Sequence, residues 1–195
     1  MNGPDETDAA ANAAMERYAR GENDAFGELY DLLQPRLYGY LLGKARVASV
    51  AEDLVQQTFF NMHRARGRFT QGADVMPWAF AIARRLFIDH ARKAGREVRA
   101  DDALATEPAG TSPDQPDAIA MAREAELQAT AALRLLPDMH REVFEMTHLA
   151  GLSHAAVAEA LGTTVAAVKM RAFYGARYLR ALLGGGTGAG KGGKR

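Results

Sequence analysis

Residues 152–179 read LSHAAVAEALGTTVAAVKMRAFYGARYL. Ala158, Gly162 and Val168 stand at the spacing A-x3-G-x5-V, which suits two short helices meeting at a tight turn. A small residue is needed where the second helix crosses the first, and a glycine can take the positive φ of the turn. Val157, Leu161 and Val168 are the residues expected to close the core under that crossing. Ser153 is a natural N-cap for the first helix, and Thr163 or Thr164 for the second. The second helix carries Lys169, Arg171, Arg177 and Arg180, and no acidic residue follows Gly162. A helix-turn-helix with a cationic second helix predicts contact with DNA; a plain helical hairpin is the bland alternative.

Upstream of this motif the pattern stays helical. A helix from about Ala118 is expected to stop at Pro137, and REVFEMTHLAG to form another that Gly151 terminates. Nearer the N-terminus, Asn23 or Asp24 can cap a helix through AFGELYDLLQPRLYGYLLGKAR, with Phe26, Leu29, Leu33 and Leu37 on one face. Pro35 is expected to bend or split it. Ser49 and Glu52 have capping-box spacing for a further helix, whose Val55, Phe59 and Met62 fall at i, i+4 and i+7. After the loop GRFTQGAD, Asp74 can cap a helix with Pro77 in its first turn and Trp78, Ile82 and Leu86 as its apolar stripe.

The zero net charge of the 195 residues conceals segregation. Residues 1–33 and 98–128 carry nets of −6 and −5, whereas residues 34–97 and 129–195 carry +6 and +5. Two basic modules across an acidic connector suggest two contacts with nucleic acid. The stretch EVRADDALATEPAGTSPDQPD, residues 97–117, has three prolines and few large apolar residues, a linker composition. The tail GGGTGAGKGGKR cannot build a core. No cysteine is present, which excludes disulfides and thiolate chemistry. No apolar run approaches the ~20 residues of a membrane span, and MNGPDETDAAANAA lacks the blocks of a signal peptide. A soluble, cytoplasmic protein is expected.

AEDLVQQTFFNMHRARGRF (residues 51–69), PWAFAIARRLFIDHARK (77–93, reading W-x3-IAR-x4-D-x2-R) and LPDMHREVFEMTHLAGLSHAAVAEALGTTVAAVKMRA (136–172) together resemble the extracytoplasmic-function (ECF) sigma factors of bacterial RNA polymerase. The resemblance implies an all-α fold of two small helical domains: residues 20–96 as sigma region 2 and 119–183 as the region 4 helix-turn-helix. Residues 1–19 are then a flexible extension, 97–118 a linker and 184–195 a disordered tail. The implied partners are core RNA polymerase, promoter DNA and an anti-sigma factor, with no membrane insertion.

Residue by residue, the resemblance assigns Asp53, Gln56, Gln57, Phe60 and Asn61 to core polymerase, a mix of one apolar anchor and hydrogen bonders that suits a partner helix. The −10 element falls to Arg68, Phe69, Thr70 and Gln71 in the loop, and to Arg85, Asp89, His90, Arg92, Lys93 and Arg96 on the next helix. There the arginines at i, i+7 and i+11 form a stripe that can track a backbone. The −35 element falls to Thr164, Val165, Ala166, Lys169, Met170, Arg171, Phe173 and Arg177. Trp78 reads as core before stacking platform; Phe173 and Tyr174 could be core or surface. Arg85 and Met170 stand where the family commonly has asparagine and serine. A stand-alone helix-turn-helix regulator would leave residues 51–93 unexplained. An enzyme is disfavoured: the five histidines lack ligand spacing and there are only three serines, so no catalytic residue, metal or cofactor is expected.

Overall fold

The computed structural model describes the backbone of residues 4–100 and 131–184. Every regular element among the described residues is helical. The N-terminal half holds α1 (Pro4–Ala19), α2 (Ala25–Ala45), α3 (Ala48–Ala65), a 3-10 turn (Arg66–Arg68) and α4 (Val75–Ala100). The C-terminal half follows a helical stretch at 131–135 with α5 (Asp138–Phe144), a π turn (Glu145–Leu149), α6 (His154–Ala160) and α7 (Val165–Gly184). The linker expected at 97–118 lies, beyond Ala100, outside the described residues, as do 118–130 of the helix expected before Pro137 and the tail after Gly184.

The apolar stripe of α2 organises the N-terminal half. Leu29, Leu33, Leu37 and Leu41 recur near i+4 and are fully buried, each worth about 1.5–3 kcal/mol against exposure. Pro35 neither splits nor stops this helix, which runs unbroken from Ala25 to Ala45. It ends at Arg46, which takes φ 60 and donates its N–H to the Leu42 carbonyl, a left-handed cap without glycine. α3 packs Ala51, Leu54, Val55, Thr58, Phe59 and Met62 inward. Its expected capping box is absent: the helix begins at Ala48 with Val47 as the capping residue, so Ser49 already lies inside the first turn. In α4 the fully buried stripe is Val75, Met76, Ala79, Phe80 and Ala83, while Trp78, Ile82 and Leu86 flank it partly buried. The stripe is thus rotated from the one expected, because Phe80 seats against Tyr40 with ring centroids 5.3 Å apart.

Residues 1–19 correct the sequence reading most. Instead of a flexible extension, Pro4–Ala19 form a helix that buries Ala11, Ala14, Met15 and Tyr18 against the core. Its alanine-rich composition has high helix propensity, and Ala11, Ala14, Met15 and Tyr18 recur at three- and four-residue intervals along one face.

The C-terminal half has a smaller core of Val143, Met146, Val157 and Val168, closed by Ala150, Ala156 and Ala158. Gly162 makes the turn between α6 and α7 at φ +61. Ser153 Oγ accepts the Ala156 N–H (3.1 Å) and Thr164 Oγ1 accepts the Ala167 N–H (3.1 Å), which selects Thr164 over Thr163 as the second cap. Gly151, at φ +69, follows the π turn, in which the Ala150 N–H reaches back to the Glu145 carbonyl (2.9 Å). Thr147 Oγ1 donates to the Val143 carbonyl (2.8 Å), occupying an acceptor of the helix ladder where the π register sets in.

The two halves pack on one another. α2 presents Arg36, Tyr40 and Lys44 at successive i+4 positions. Arg36 Nε donates to the Ala150 carbonyl (2.7 Å), Nη2 to the Gly151 carbonyl (3.1 Å), and the same guanidinium pairs with Asp8 of α1. Lys44 Nζ lies 2.9 Å from Glu145 and 3.6 Å from Glu142. Arg84 grips Glu142 with both Nε (2.9 Å) and Nη2 (3.3 Å). Burial, then the Glu142 and Glu145 carboxylates, hold the Tyr40 hydroxyl well above the usual phenol range, so it stays a neutral donor to Glu142. The hydrogen bond to Glu142 raises the pKa of Arg84.

Candidate interaction surfaces

Three exposed faces emerge once the buried stripes are removed. The first is the outer side of α3. Because its apolar residues turn inward with helical period, Asp53, Gln56, Gln57 and Phe60 stand exposed on the opposite side, with Asn61 half-buried at the margin. Phe60 is 60% exposed, and the Arg64 guanidinium sits 5.8 Å from its ring. Beside it opens a hollow of ≈ 650 Å³ lined by Gln56, Phe59, Phe60, Tyr30 and Phe26 among others. Tyr30 was not singled out from sequence. Its ring packs, tilted, against that of Phe59 (centroids 4.6 Å apart) and stays partly exposed, extending the apolar face beyond α3. Its place four residues after Phe26 on α2 was the available signal.

The second face joins the loop at 66–74 to α4. Arg68, Thr70 and Gln71 are exposed; Phe69 is only partly so, because its ring packs on Trp78 at 5.3 Å. Phe69 therefore anchors the loop to the core, and Trp78 belongs to that core contact. On α4, Arg85, Asp89, His90, Arg92 and Lys93 are all exposed; the Arg96 side chain lies outside the described residues. Arg84, one position from Arg85, points the other way into its pair with Glu142.

The third face is the N-terminal part of α7. Thr164, Val165, Ala166, Lys169, Met170 and Phe173 are exposed, with Met170 at 57% and Phe173 at 64%. Tyr174 is exposed too, which resolves both aromatics as surface. The Thr164 hydroxyl is engaged in the helix cap. Arg171 is half-buried and shares a hollow with His140 and Tyr174. Arg177, further along, borders a larger hollow of ≈ 470 Å³ with Tyr174 and Tyr178. The side chains nearest the helix start are those a major groove can admit.

Comparison with known proteins matches these halves separately. A sigma-70 region 2 model matches residues 29–97 and a sigma-70 region 4 model residues 126–177. The RNA polymerase sigma factor CarQ of Myxococcus xanthus is 36% identical over 87% of this chain and 95% of its own length. The ECF RNA polymerase sigma factor BldN of Streptomyces coelicolor is 33% identical over 87% of this chain and 64% of its own. Among solved structures, the sigma factor RpoE in complex with the anti-sigma factor NepR from Bartonella quintana has a TM-score of 0.67 at 26% identity, covering 82% of this chain and 96% of that one. CnrH, solved with the cytosolic domain of CnrY, shares the fold with a TM-score of 0.68 at 24% identity, covering 91% and 99%.

Proposed function

The chain belongs to the extracytoplasmic-function family of sigma-70-type RNA polymerase sigma factors and directs transcription initiation as an alternative sigma factor, and we propose how its three faces divide that work. The outer side of α3, with Phe60 as its apolar anchor, docks on core polymerase. The loop at 66–74 and the basic side of α4 receive the −10 element. The start of α7 reads the −35 element.

The observation that carries this reading is the exposed face of α7. A 20-residue helix that places Val165, Met170 and Phe173 in solvent around Lys169 gains nothing in stability from doing so. Against a groove, those methyl and ring surfaces meet thymine methyls while Lys169 meets base-edge acceptors. Arg171 and Arg177, half-buried or further from the helix start, are suited to phosphate. On the second face, Arg85 and Arg92 are free of carboxylate partners among the described residues and can track a strand. The likeness to RpoE bound to NepR supports an anti-sigma factor as a third partner. The chain itself carries out no catalysis; the polymerase does, in the cytoplasm. Among the described residues no helix is long and apolar enough to cross a membrane.

Transcript mapping with and without this protein, followed by holoenzyme binding to the mapped promoters, tests the division. Alanine at Phe60 should weaken co-elution with core enzyme; alanine at Arg85 and Arg92 together should impair strand opening while assembly persists. Undiminished melting of thymines, seen by permanganate, in the Arg85→Ala, Arg92→Ala protein would refute the −10 assignment.

A further inference from the structure

α1 precedes the residues matched by the region 2 model, which begin at 29, and none of the three faces includes it. While Asp8 and Arg17 pair with Arg36 and Glu28 of α2, other side chains of α1 reach toward the segment between α3 and α4. Asn12 Oδ1 accepts the Val75 N–H at 2.8 Å, and Glu16 Oε1 accepts the Gly72 N–H at 2.9 Å. The Tyr18 hydroxyl meets His63 Nδ1, and the Arg66 guanidinium lies 5.3 Å from the Tyr18 ring. These contacts touch the segment at its beginning, near Arg66, and again at Gly72 and Val75. Between them stand Arg68, Thr70 and Gln71 with exposed side chains.

Apart from these contacts, the segment is held by the packing of Phe69 on Trp78 and by its own turns. Its internal backbone bonds are two tight turns, Phe69 N–H to the Arg66 carbonyl and Ala73 N–H to the Thr70 carbonyl, each 3.1 Å. Gly72 sits at φ +78, and the carboxylate of Glu16 fixes where its N–H points. The Val75 N–H is one of the donors left over at the start of α4; Asp74 Oδ1 takes the next, from Met76, at 3.0 Å, and Asn12 takes this one. Asn12 and Glu16 are one turn apart on α1, so a single helix face supplies both acceptors.

We propose that Asn12 and Glu16 are positioning residues for −10 recognition: without touching DNA, they hold the 66–75 segment in the shape in which Thr70 and Gln71 can receive a base. This rests on the reading of that loop as a −10 contact. A loop that must be ordered when DNA arrives binds more weakly than one already ordered. A hydrogen bond to a carboxylate is also stronger than one between neutral groups, so removing Glu16 should have the larger effect.

The test uses the full chain assembled with core polymerase. A duplex pool randomised across the −10 element is selected by the holoenzyme and sequenced, and strand opening is timed on the mapped promoter. Glu16→Ala should slow opening by about tenfold and Asn12→Ala by less, and both should flatten −10 base preference. Assembly with core enzyme and −35 preference should stay as they were. Asn12→Asp and Glu16→Gln, which keep the acceptor oxygen, should restore most of the rate. A Glu16→Gln protein as defective as Glu16→Ala would overturn the inference. So would alanine variants whose slower opening merely tracks a lowered melting temperature and weaker assembly. A Thr70→Ala, Gln71→Ala protein separates the two readings. If it leaves −10 preference unchanged, the loop assignment is wrong. If it changes that preference and the α1 variants do not, the loop assignment stands and the positioning role falls.

Discussion

The N-terminal and C-terminal halves bury their apolar faces at different scales. The first uses helices of 16 to 26 residues around large side chains: Tyr40, Phe80, Met15, Met62, Met76 and four leucines of α2, all fully buried. The second sets α5 and α6, seven residues each, against the 20-residue α7, around Val143, Met146, Val157 and Val168. Helices that short do not hold alone. Their core belongs to one continuous cluster with that of the first half, and their acidic residues Glu142 and Glu145 find their cations on α2 and α4. The N-terminal half is built to carry itself; the C-terminal half, in this arrangement, leans on it.

Removing residues 1–19 should break that contrast most severely, since Met15 and Tyr18 leave the core with the rest of α1. The expected loss is at least that of a large core truncation, about 2–5 kcal/mol, read from the urea midpoint. A truncated protein as stable as the full chain would show that α1 only rests on the surface. Within the cores, Leu37→Ala should cost about 2–5 kcal/mol, and Val157→Ala less, about 1.5–3 kcal/mol. A Val157→Ala loss as large as that of Leu37→Ala would contradict the difference in scale between the two cores.

Glu142→Gln sharpens the dependence between halves. It leaves Lys44 and the more exposed Arg84 without their shared partner, for an expected loss of about 1–3 kcal/mol after allowance for solvent at Arg84. Hydrogen exchange should then rise in α5 and α6 before it rises in α2. Unchanged exchange would refute the leaning relation. For the α7 surface, Lys169→Ala should weaken holoenzyme binding by about 1–3 kcal/mol at selected −35 positions, measured on promoters varied one base at a time. Arg171→Ala should act alike on all sequences and reduce the salt slope by about one. A base preference untouched by Lys169→Ala would refute its place in readout.

The smallest effect is expected from Tyr40. Its folded pKa is raised, so its share of stability is intact below about pH 10, the unfolded value, and is lost as pH climbs from there through the raised native value. Tyr40→Phe should flatten the alkaline limb of the stability profile slightly. An identical limb in the variant would place the titration elsewhere.

The helix-turn-helix was the most legible part of the chain, because each of its constraints is local. A glycine is needed at the turn, hydroxyls at the caps, and valines at helical spacing, and Gly162, Ser153, Thr164, Val157 and Val168 take those places. The polar face of α3 was legible for the same reason. Contacts between elements distant in sequence could not be read this way. Nothing around Tyr18 says that its partners are Phe26 on α2, His63 on α3 and Arg66 beyond it, so an alanine-rich, acidic helix passes for an extension. The α4 stripe was misjudged by the pull of Trp78, whose size suggested the centre of the core; Phe80 holds that place because Tyr40 faces it. Arg36, Tyr40 and Lys44 recur every fourth residue, a visible stripe, yet their partners stand over a hundred positions away. Phe69 was read as free when Trp78 already claimed it.

The π turn at Glu145–Leu149 amounts to one residue inserted into an otherwise α-helical ladder. Each residue of an α-helix advances the chain by about 100° around its axis, but a turn closed from the Ala150 N–H to the Glu145 carbonyl takes in one residue more without advancing further. The extra residue is absorbed where it stands, and the chain beyond keeps the direction a regular helix would have given it. Deleting Thr147 should therefore close the ladder into plain α-helix while Gly151 and the helix-turn-helix behind it still face the same way, with the Ala150 and Gly151 carbonyls still toward Arg36.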